Sequence, residues 1–108
     1  MSFRKLLPNR REAMILAILL HGEKYGREIR NLYEERTKLG LPIGSLYVTL
    51  DRMEDKGFLH SRHGESDPER GGNRRKYYTL SASGLKSLNL LREAMDSTRR
   101  REQAVPVN

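Results

Sequence analysis

One predicted helix in the middle of the sequence carries hydrogen-bonding and cationic side chains on a single face. The helix is predicted from Ser45 to Lys56. Leu46, Leu50 and Met53 share its apolar face, which we expect to turn inward. The opposite face presents Ser45, Val48, Thr49 and Arg52. Hydroxyls bond either kind of base, a methyl can contact thymine, and arginine can donate two bonds to guanine. A plain amphipathic core helix has the same spacing, so the helix alone fits both interpretations.

The acidic residues of this helix lie in its second half, at Asp51, Glu54 and Asp55. Carboxylates near the C-terminus of a helix oppose its dipole, so helix stability does not favour them there. They are compatible with DNA binding if the second half of the helix stays away from the duplex. We therefore expect only the N-terminal turns of this helix to approach DNA.

A second group of hydrogen-bond donors lies on and between two predicted strands, Leu59 to His63 and Arg75 to Leu80. The stretch between them is rich in glycine, proline and charge, which predicts a hairpin with a long basic tip. Glycine lets the backbone come close to a phosphate, and cations release its counterions. The predicted phosphate contacts here are Arg62, Arg70, Asn73, Arg74, Arg75 and Lys76. The plain alternative is a charge-rich hairpin that is only solvated surface.

Two further helices are predicted on the N-terminal side of the Ser45–Lys56 helix. Asn9 followed by Glu12 predicts a capped helix start, and this helix runs to about Leu20. The next helix is predicted from Gly26 to Lys38, on a strongly charged background. Its predicted exposed face consists of Arg27, Arg30, Glu34 and Arg36. Lys24 and Arg27, at its start, join the predicted phosphate contacts.

A last helix is predicted after the hairpin. Ser81 caps it, and it extends to about Arg100. Its apolar stripe consists of Leu85, Leu88, Leu91 and Met95. This stripe fits either an intramolecular core or a dimer seam, and the single small core of the chain favours a partner surface. The whole order predicts a mainly α fold with a small β-hairpin (α+β), a winged helix-turn-helix closed by a C-terminal helix.

Composition predicts one basic domain. The 108 residues suffice for a single modest core. Lysine and arginine total 21 against 14 acidic residues, a formal net charge of +7, and the pI is about 10.1. This balance favours an anionic partner, and double-stranded DNA fits it. There is no cysteine, and the longest apolar run, Ala13 to Leu20, is far too short for a bilayer. We therefore expect a cytoplasmic protein without membrane contact.

Catalytic and metal chemistry have little support in the sequence. His60 and His63 are three apart on a predicted strand, so they point to opposite faces and cannot easily share one ion. No nucleophile elbow and no P-loop frame occurs in the sequence. We expect no enzymatic activity, no metal and no cofactor.

Several spaced motifs resemble the PadR family of bacterial transcriptional regulators. They are Tyr25-Gly26 with Glu28-Ile29, Gly44-Ser45-Leu46-Tyr47 with Leu50, Glu54 and Gly57-Phe58-Leu59, and Arg75-Lys76-Tyr77-Tyr78-Thr79-Leu80-Ser81 with Gly84. The resemblance covers roughly Ala13 to Met95. It implies a winged-helix DNA-binding domain, a homodimer joined largely through the last helix, and repression of nearby genes.

The same resemblance implies roles for particular residues. Tyr47 would hold the DNA backbone, and Arg74 to Lys76 would serve the hairpin. The dimer interface would contain Leu85, Leu88, Leu91 and Met95. This chain has Val48 where many members have proline, and it has no tryptophan, so stacking of a flat drug between tryptophans is not expected. A small-molecule effector of unknown identity remains open.

The sequence thus predicts a DNA-binding domain over residues 1–80, a dimerisation helix over 81–101 and a flexible tail over 102–108. The predicted function is a sequence-specific regulator, a repressor that binds an inverted repeat as a homodimer. Two alternatives stay open, a protein-interaction module with this fold and an architectural protein that binds DNA without reading its sequence.

Overall fold

A computed structural model describes residues 7–66 and 68–104 of the chain. Four helices surround a small sheet: α1 (Arg10–Leu19), α2 (Gly26–Thr37), α3 (Ile43–Asp55) and α4 (Ala82–Ala104), with strands β1 (Lys24–Tyr25), β2 (Leu59–Ser66) and β3 (Arg74–Leu80). A 3₁₀ turn, Pro68–Arg70, joins β2 to β3. The predicted α+β class and the C-terminal helix are confirmed. No helix in the described part of the chain is long and apolar enough to span a membrane.

The sheet is antiparallel, with β3 in the centre and β1 and β2 on its two sides. Tyr78 of β3 lies opposite Lys24 on one side and opposite Ser61 on the other. Strand β1 was not predicted, since two residues are too few to show an alternating pattern. The prediction also ended β2 three residues early, at His63, because the ladder resumes after an irregularity and reaches Ser66. We call the β2–β3 hairpin, with its 3₁₀ turn, the wing.

The core forms where the three N-terminal helices meet the inner face of the sheet and the start of α4. It contains Ile15, Leu16, Ile18, Leu19, Ile29, Tyr33, Leu41, Leu46, Leu50, Met53, Phe58, Leu59, Tyr78 and Leu88. Leu88 is 3% exposed, so it packs within its own chain. The sequence placed Leu88 in a dimer interface, whereas in this chain it lies in the core where α4 packs against α1.

Both predicted helix caps are present. The Asn9 side chain accepts a hydrogen bond from Glu12 N at 2.8 Å, and Glu12 Oε1 accepts from Asn9 N at 2.9 Å. Ser81 Oγ accepts from Gly84 N at 2.9 Å and donates to Gly57 O at 2.6 Å. At Gly84 a Cβ atom would lie 2.2 Å from the Phe58 carbonyl oxygen. Glycine at this position therefore lets α4 start directly against the chain that follows α3.

Two helix boundaries differ from the predictions by two residues or more. Helix α3 begins at Ile43 instead of Ser45. Pro42 is its N-cap residue, a position where no helical hydrogen bond needs the N–H that proline lacks. Helix α4 continues to Ala104, so residues 102–104 of the predicted tail are helical. The rest of that tail, residues 105–108, lies outside the described residues.

Burial of Tyr78 makes the stability of the fold depend on pH. Desolvation raises the pKa of its phenol well above the ordinary value, and the nearby charge of Asp51 raises it further. An unfolded tyrosine ionises near pH 10, so only the unfolded chain loses this proton as the pH rises past 10. The free energy of unfolding should therefore fall above about pH 10, by at most about 1.4 kcal/mol per pH unit from this group.

Urea unfolding between about pH 8 and 11 tests this, with Tyr78→Phe as the variant and Tyr77→Phe, at a half-buried position, as the control. Tyr78→Phe should flatten the decline above pH 10, and Tyr77→Phe should leave it as in the wild type. An equal decline in the wild type and Tyr78→Phe would contradict the assignment.

Candidate nucleic-acid interface

Helix α3 presents the predicted base-reading residues on one side of the molecule. Leu46, Leu50 and Met53 have no exposed area, so the opposite side of the helix faces solvent. Val48 is 51% exposed, Arg52 is exposed, and Ser45 and Thr49 are half-buried. The Thr49 hydroxyl donates to the Ser45 carbonyl at 2.9 Å, which leaves its oxygen lone pairs available as acceptors. The face can thus contact both donor and acceptor groups on bases.

The α2–α3 linker is held by two charged side chains of α2. Arg30 Nε donates to the Leu41 carbonyl at 2.8 Å, and Leu41 N donates to Glu34 Oε2 at 2.8 Å. The two side chains also lie 3.8 Å apart, one helical turn from each other. Periodicity placed Arg30 and Glu34 on a solvated face, but they bind the backbone where the chain enters α3. They therefore fix the position of the N-terminus of α3.

A buried carboxylate joins α1 to the C-terminal end of α3. Glu12 is 2% exposed, and its Oε2 accepts a hydrogen bond from Lys56 Nζ at 2.7 Å. The ammonium of Lys56 also lies 5.9 Å from the centre of the Phe58 ring. Removing either partner would leave a charge poorly compensated in or near the core. Glu12 was predicted only as part of the helix cap, and the ion pair with Lys56 was not predicted.

The outer face of the sheet carries a ladder of two arginines and two tyrosines. The Arg62 guanidinium lies 4.8 Å from the Tyr77 ring, and Tyr77 meets Tyr25 edge-on at 5.9 Å. Arg75 closes the ladder at 4.3 Å from the Tyr25 ring. Strand pairing creates this order, because both Arg62 and Tyr25 lie directly opposite Tyr77. Cation–π and edge-to-face contacts of this kind each contribute about 0.5–1.5 kcal/mol.

Arg62 is further bound by Glu23 at the end of the turn after α1. Its Nε donates to Glu23 Oε2 at 2.8 Å and its Nη2 to Oε1. The hydrogen bond from Arg62 lowers the pKa of the Glu23 carboxyl below its ordinary value. Arg62 was predicted as a phosphate contact, but the structure uses its guanidinium to attach β2 to the rest of the domain. Sequence spacing could not reveal this, since Glu23 and Arg62 are 39 residues apart.

A groove of about 310 Å³ opens between the wing and the N-terminal ends of α2 and α3; we call it the wing groove. Its lining consists of Tyr25, Gly26, Arg27, Ile43, Tyr47, Arg70, Arg75 and Lys76. At Gly26 a Cβ atom would lie 2.6 Å from the Tyr47 hydroxyl, so the tyrosine ring rests on the first turn of α2. The groove brings together the predicted phosphate contacts of α2, α3 and the wing.

Four predicted phosphate contacts lie outside the wing groove, and Arg62 on the outer sheet face is one of them. Asn73 and Arg74 are exposed at the wing tip, after two glycines, Gly71 and Gly72, that have positive φ of 68° and 85°. Lys24 is half-buried in β1. Within residues 7–66 and 68–104, no group of three histidine or acidic side chains could hold a metal ion.

Comparisons with known proteins agree with this architecture. Residues 15–90 match the family model described as the transcriptional regulator PadR-like family. A comparison with curated proteins gave no match. Among solved structures, a PadR family transcription regulator from hypervirulent Clostridium difficile is 28% identical with a TM-score of 0.73, covering 88% of this chain and 96% of that one. A PadR-like transcriptional regulator from Bacillus cereus is 26% identical with a TM-score of 0.69, covering 90% and 93%.

The structure of Bacillus subtilis PadR in complex with operator DNA is also similar. It is 27% identical with a TM-score of 0.65 over 76% of this chain, and the match spans 45% of the Bacillus subtilis chain. The family model itself reaches from α1 into α4, which is most of the present sequence. The resemblance stated from the sequence motifs is confirmed, and this chain belongs to the transcriptional regulator PadR-like family.

Proposed function

We propose that this protein is a sequence-specific DNA-binding transcriptional regulator that places the first turns of α3 in the major groove. The observation that carries the proposal is the solvent-facing side of α3, which presents Ser45, Val48, Thr49 and Arg52, while Tyr47 of the same helix lines the basic wing groove. The similar Bacillus subtilis PadR was solved with operator DNA, which supports the same partner here. A DNA-bound regulator works where the chromosome is, so we propose a cytoplasmic protein.

The exposed residues divide into base contacts and phosphate contacts. Thr49 and Arg52, on the outer side of α3, are the proposed base contacts. The proposed phosphate contacts are Tyr47, Arg27, Lys24, Arg70, Asn73, Arg74 and Lys76. Arg62 and Arg75 have a different proposed role, since their stacking on Tyr77 and Tyr25 positions the wing. Such a division lets one set of side chains hold the duplex while the other set reads its sequence.

A homodimer through α4 is the proposed assembly. From Arg92 to Glu102 every side chain of α4 is exposed, so this stretch packs against nothing in the described chain. Isolated helices of this length are marginal in water, because nucleation costs more than a few turns return. Leu85 is 40% and Met95 59% exposed, and Leu91 is half-buried between them. A second copy of α4 would cover this stripe, with Leu88 left to the core.

A two-fold dimer would present two α3 helices to an inverted repeat with half-sites about one helical turn, roughly 34 Å, apart. Occupation of such a site next to a promoter would make the protein a repressor. The architectural alternative would bind all duplexes alike, and the protein-interaction alternative would bind none at low salt. Selection from random duplexes distinguishes the three, and we expect one enriched inverted repeat preferred by about a thousandfold or more over random DNA.

Substitutions should distinguish the proposed base contacts from the proposed phosphate contacts. Arg52→Ala should cost about 1–3 kcal/mol on the selected operator and relax the preference at one base position in each half-site. Arg74→Ala should weaken operator and random duplexes by the same factor and reduce the salt slope by about one counterion per protomer. Binding titrations over a salt series measure both effects.

Arg36→Ala, which removes an exposed cation in the last turn of α2, is the matched control and should change neither quantity. The division of roles would be wrong if Arg74→Ala changed the preferred sequence, or if Arg52→Ala left every base preference intact.

The dimer has its own test. Met95→Glu places a charge in the proposed seam of α4, and we expect dimer affinity to fall by about tenfold or more, because an unpaired carboxylate would be buried. Sedimentation equilibrium measures the change. Ser97→Glu adds the same charge about 200° further round the same helix and is the control. A wild-type monomer, or equal effects of the two substitutions, would contradict an interface on this stripe.

A further inference from the structure

A second basic groove lies on the other side of α3, between that helix and the first turn of α1. It encloses about 370 Å³. We call it the α1 groove, and it is lined by Asn9, Arg10, Arg11, Glu12, Thr49, Arg52 and Lys56. Thr49 and Arg52 are also the proposed base contacts of α3, so the groove adjoins the surface that would read bases.

The charge of the α1 groove is strongly positive. Arg10, Arg11 and Arg52 are exposed, and none of them forms an ion pair with another described residue. The one acid in the lining, Glu12, is neutralised by Lys56 at 2.7 Å and is almost entirely buried beneath the groove. Three uncompensated cations therefore face the same open space.

The position of two of these cations runs against ordinary helix chemistry. Arg10 and Arg11 occupy the first two positions of α1, where the positive end of the helix dipole repels cations. Without a bound anion, these two arginines make the start of α1 less stable than neutral or acidic residues would. A phosphate placed in the groove would reverse this balance, because both the guanidinium groups and the positive end of the helix dipole attract an anion.

The first turn of α1 is also held at a fixed distance from α3. Glu12 directly follows Arg11 on α1, and its buried ion pair with Lys56 joins α1 to the end of α3. Any duplex that lies on Thr49 and Arg52 therefore meets Arg10 and Arg11 at a set position. The wing groove occupies the opposite flank of α3, where Tyr47 packs over Gly26.

We infer that the α1 groove binds the DNA phosphate backbone along one edge of the major groove, while the wing groove binds the backbone along the other edge. A major groove is about 12 Å wide and is bounded by both strands, so a helix within it has phosphates on either side. Arg10 and Arg11 are the residues that contact phosphate in this arrangement. The inference rests on the proposed function, since it needs α3 in the major groove.

The test is a salt series of binding titrations on two duplexes of equal length, the selected operator and a random sequence. Each lost phosphate contact lowers the slope of log affinity against log salt by about 0.9. Arg10→Ala/Arg11→Ala should therefore reduce the slope by about 1.8 per bound protomer on both duplexes. The operator preference should stay unchanged. Arg10→Lys/Arg11→Lys should retain the wild-type slope, and Arg36→Ala should retain both slope and affinity.

A second measurement locates the contact on the DNA. Methylphosphonate groups replace single phosphates of the operator, and each removes one negative charge. At the positions beside α1 this replacement should weaken the wild type and leave Arg10→Ala/Arg11→Ala unaffected. Thermal unfolding checks that the variants fold, and Arg10→Gln/Arg11→Gln, which keeps long side chains, substitutes for the alanine pair if that pair does not.

The outcomes separate this inference from the proposed function. If the wild type binds the operator but the neutral pair keeps its salt slope, the α1 groove does not hold phosphate and only this inference fails. The same holds if the neutral pair changes the preferred sequence, because Arg10 or Arg11 would then contact bases. If the wild type shows no affinity for any duplex at low salt, the proposed function fails, and this inference fails with it.

Discussion

Burial of one side of α3 determines what the molecule can present to a partner. Leu46, Leu50 and Met53 have no exposed area, and exposing such a side chain costs about 1.5–3 kcal/mol. The helix therefore cannot rotate about its axis without a loss comparable to much of the stability of a small domain. Both ends are held as well, by Arg30 and Glu34 at the linker and by Glu12 on Lys56. The exposed side of α3 is thus a rigid surface, and rigidity of this kind makes base recognition selective.

Two basic residues of the wing make contacts within their own chain. Arg62 and Arg75 stack on tyrosines of the outer sheet face, and Arg62 also binds Glu23. A guanidinium is well suited to this because it stacks on an aromatic ring and keeps its charge. The cations that remain at the wing tip and in the wing groove then sit on a positioned hairpin. Charge counted along the sequence overestimates how many cations of this segment are available for DNA.

The sequence predicted best where the pattern is local. The period of Leu46, Leu50 and Met53 and the cap of Asn9 by Glu12 depend on residues within a few positions of each other, and both are present. Strand β1 escaped prediction because its two residues pair with Tyr78 and Tyr77, more than fifty positions later.

Pairings between distant residues explain the remaining differences. The contacts of Arg62 with Glu23 and of Glu12 with Lys56 follow from the fold and leave no periodic signal. The stripe on α4 was visible as a pattern, but periodicity does not say what covers it, and Leu88 is covered by its own chain.

Chemical interference on the selected operator tests most directly the claim that α3 reads the major groove. Dimethyl sulfate methylates guanine at N7, in the major groove, and adenine at N3, in the minor groove, so one reaction probes both. The account predicts that N7 methylation, or loss of the thymine methyl in a uracil-substituted site, abolishes binding at positions clustered in each half-site. Interference at adenine N3 alone, or at no position, would contradict it.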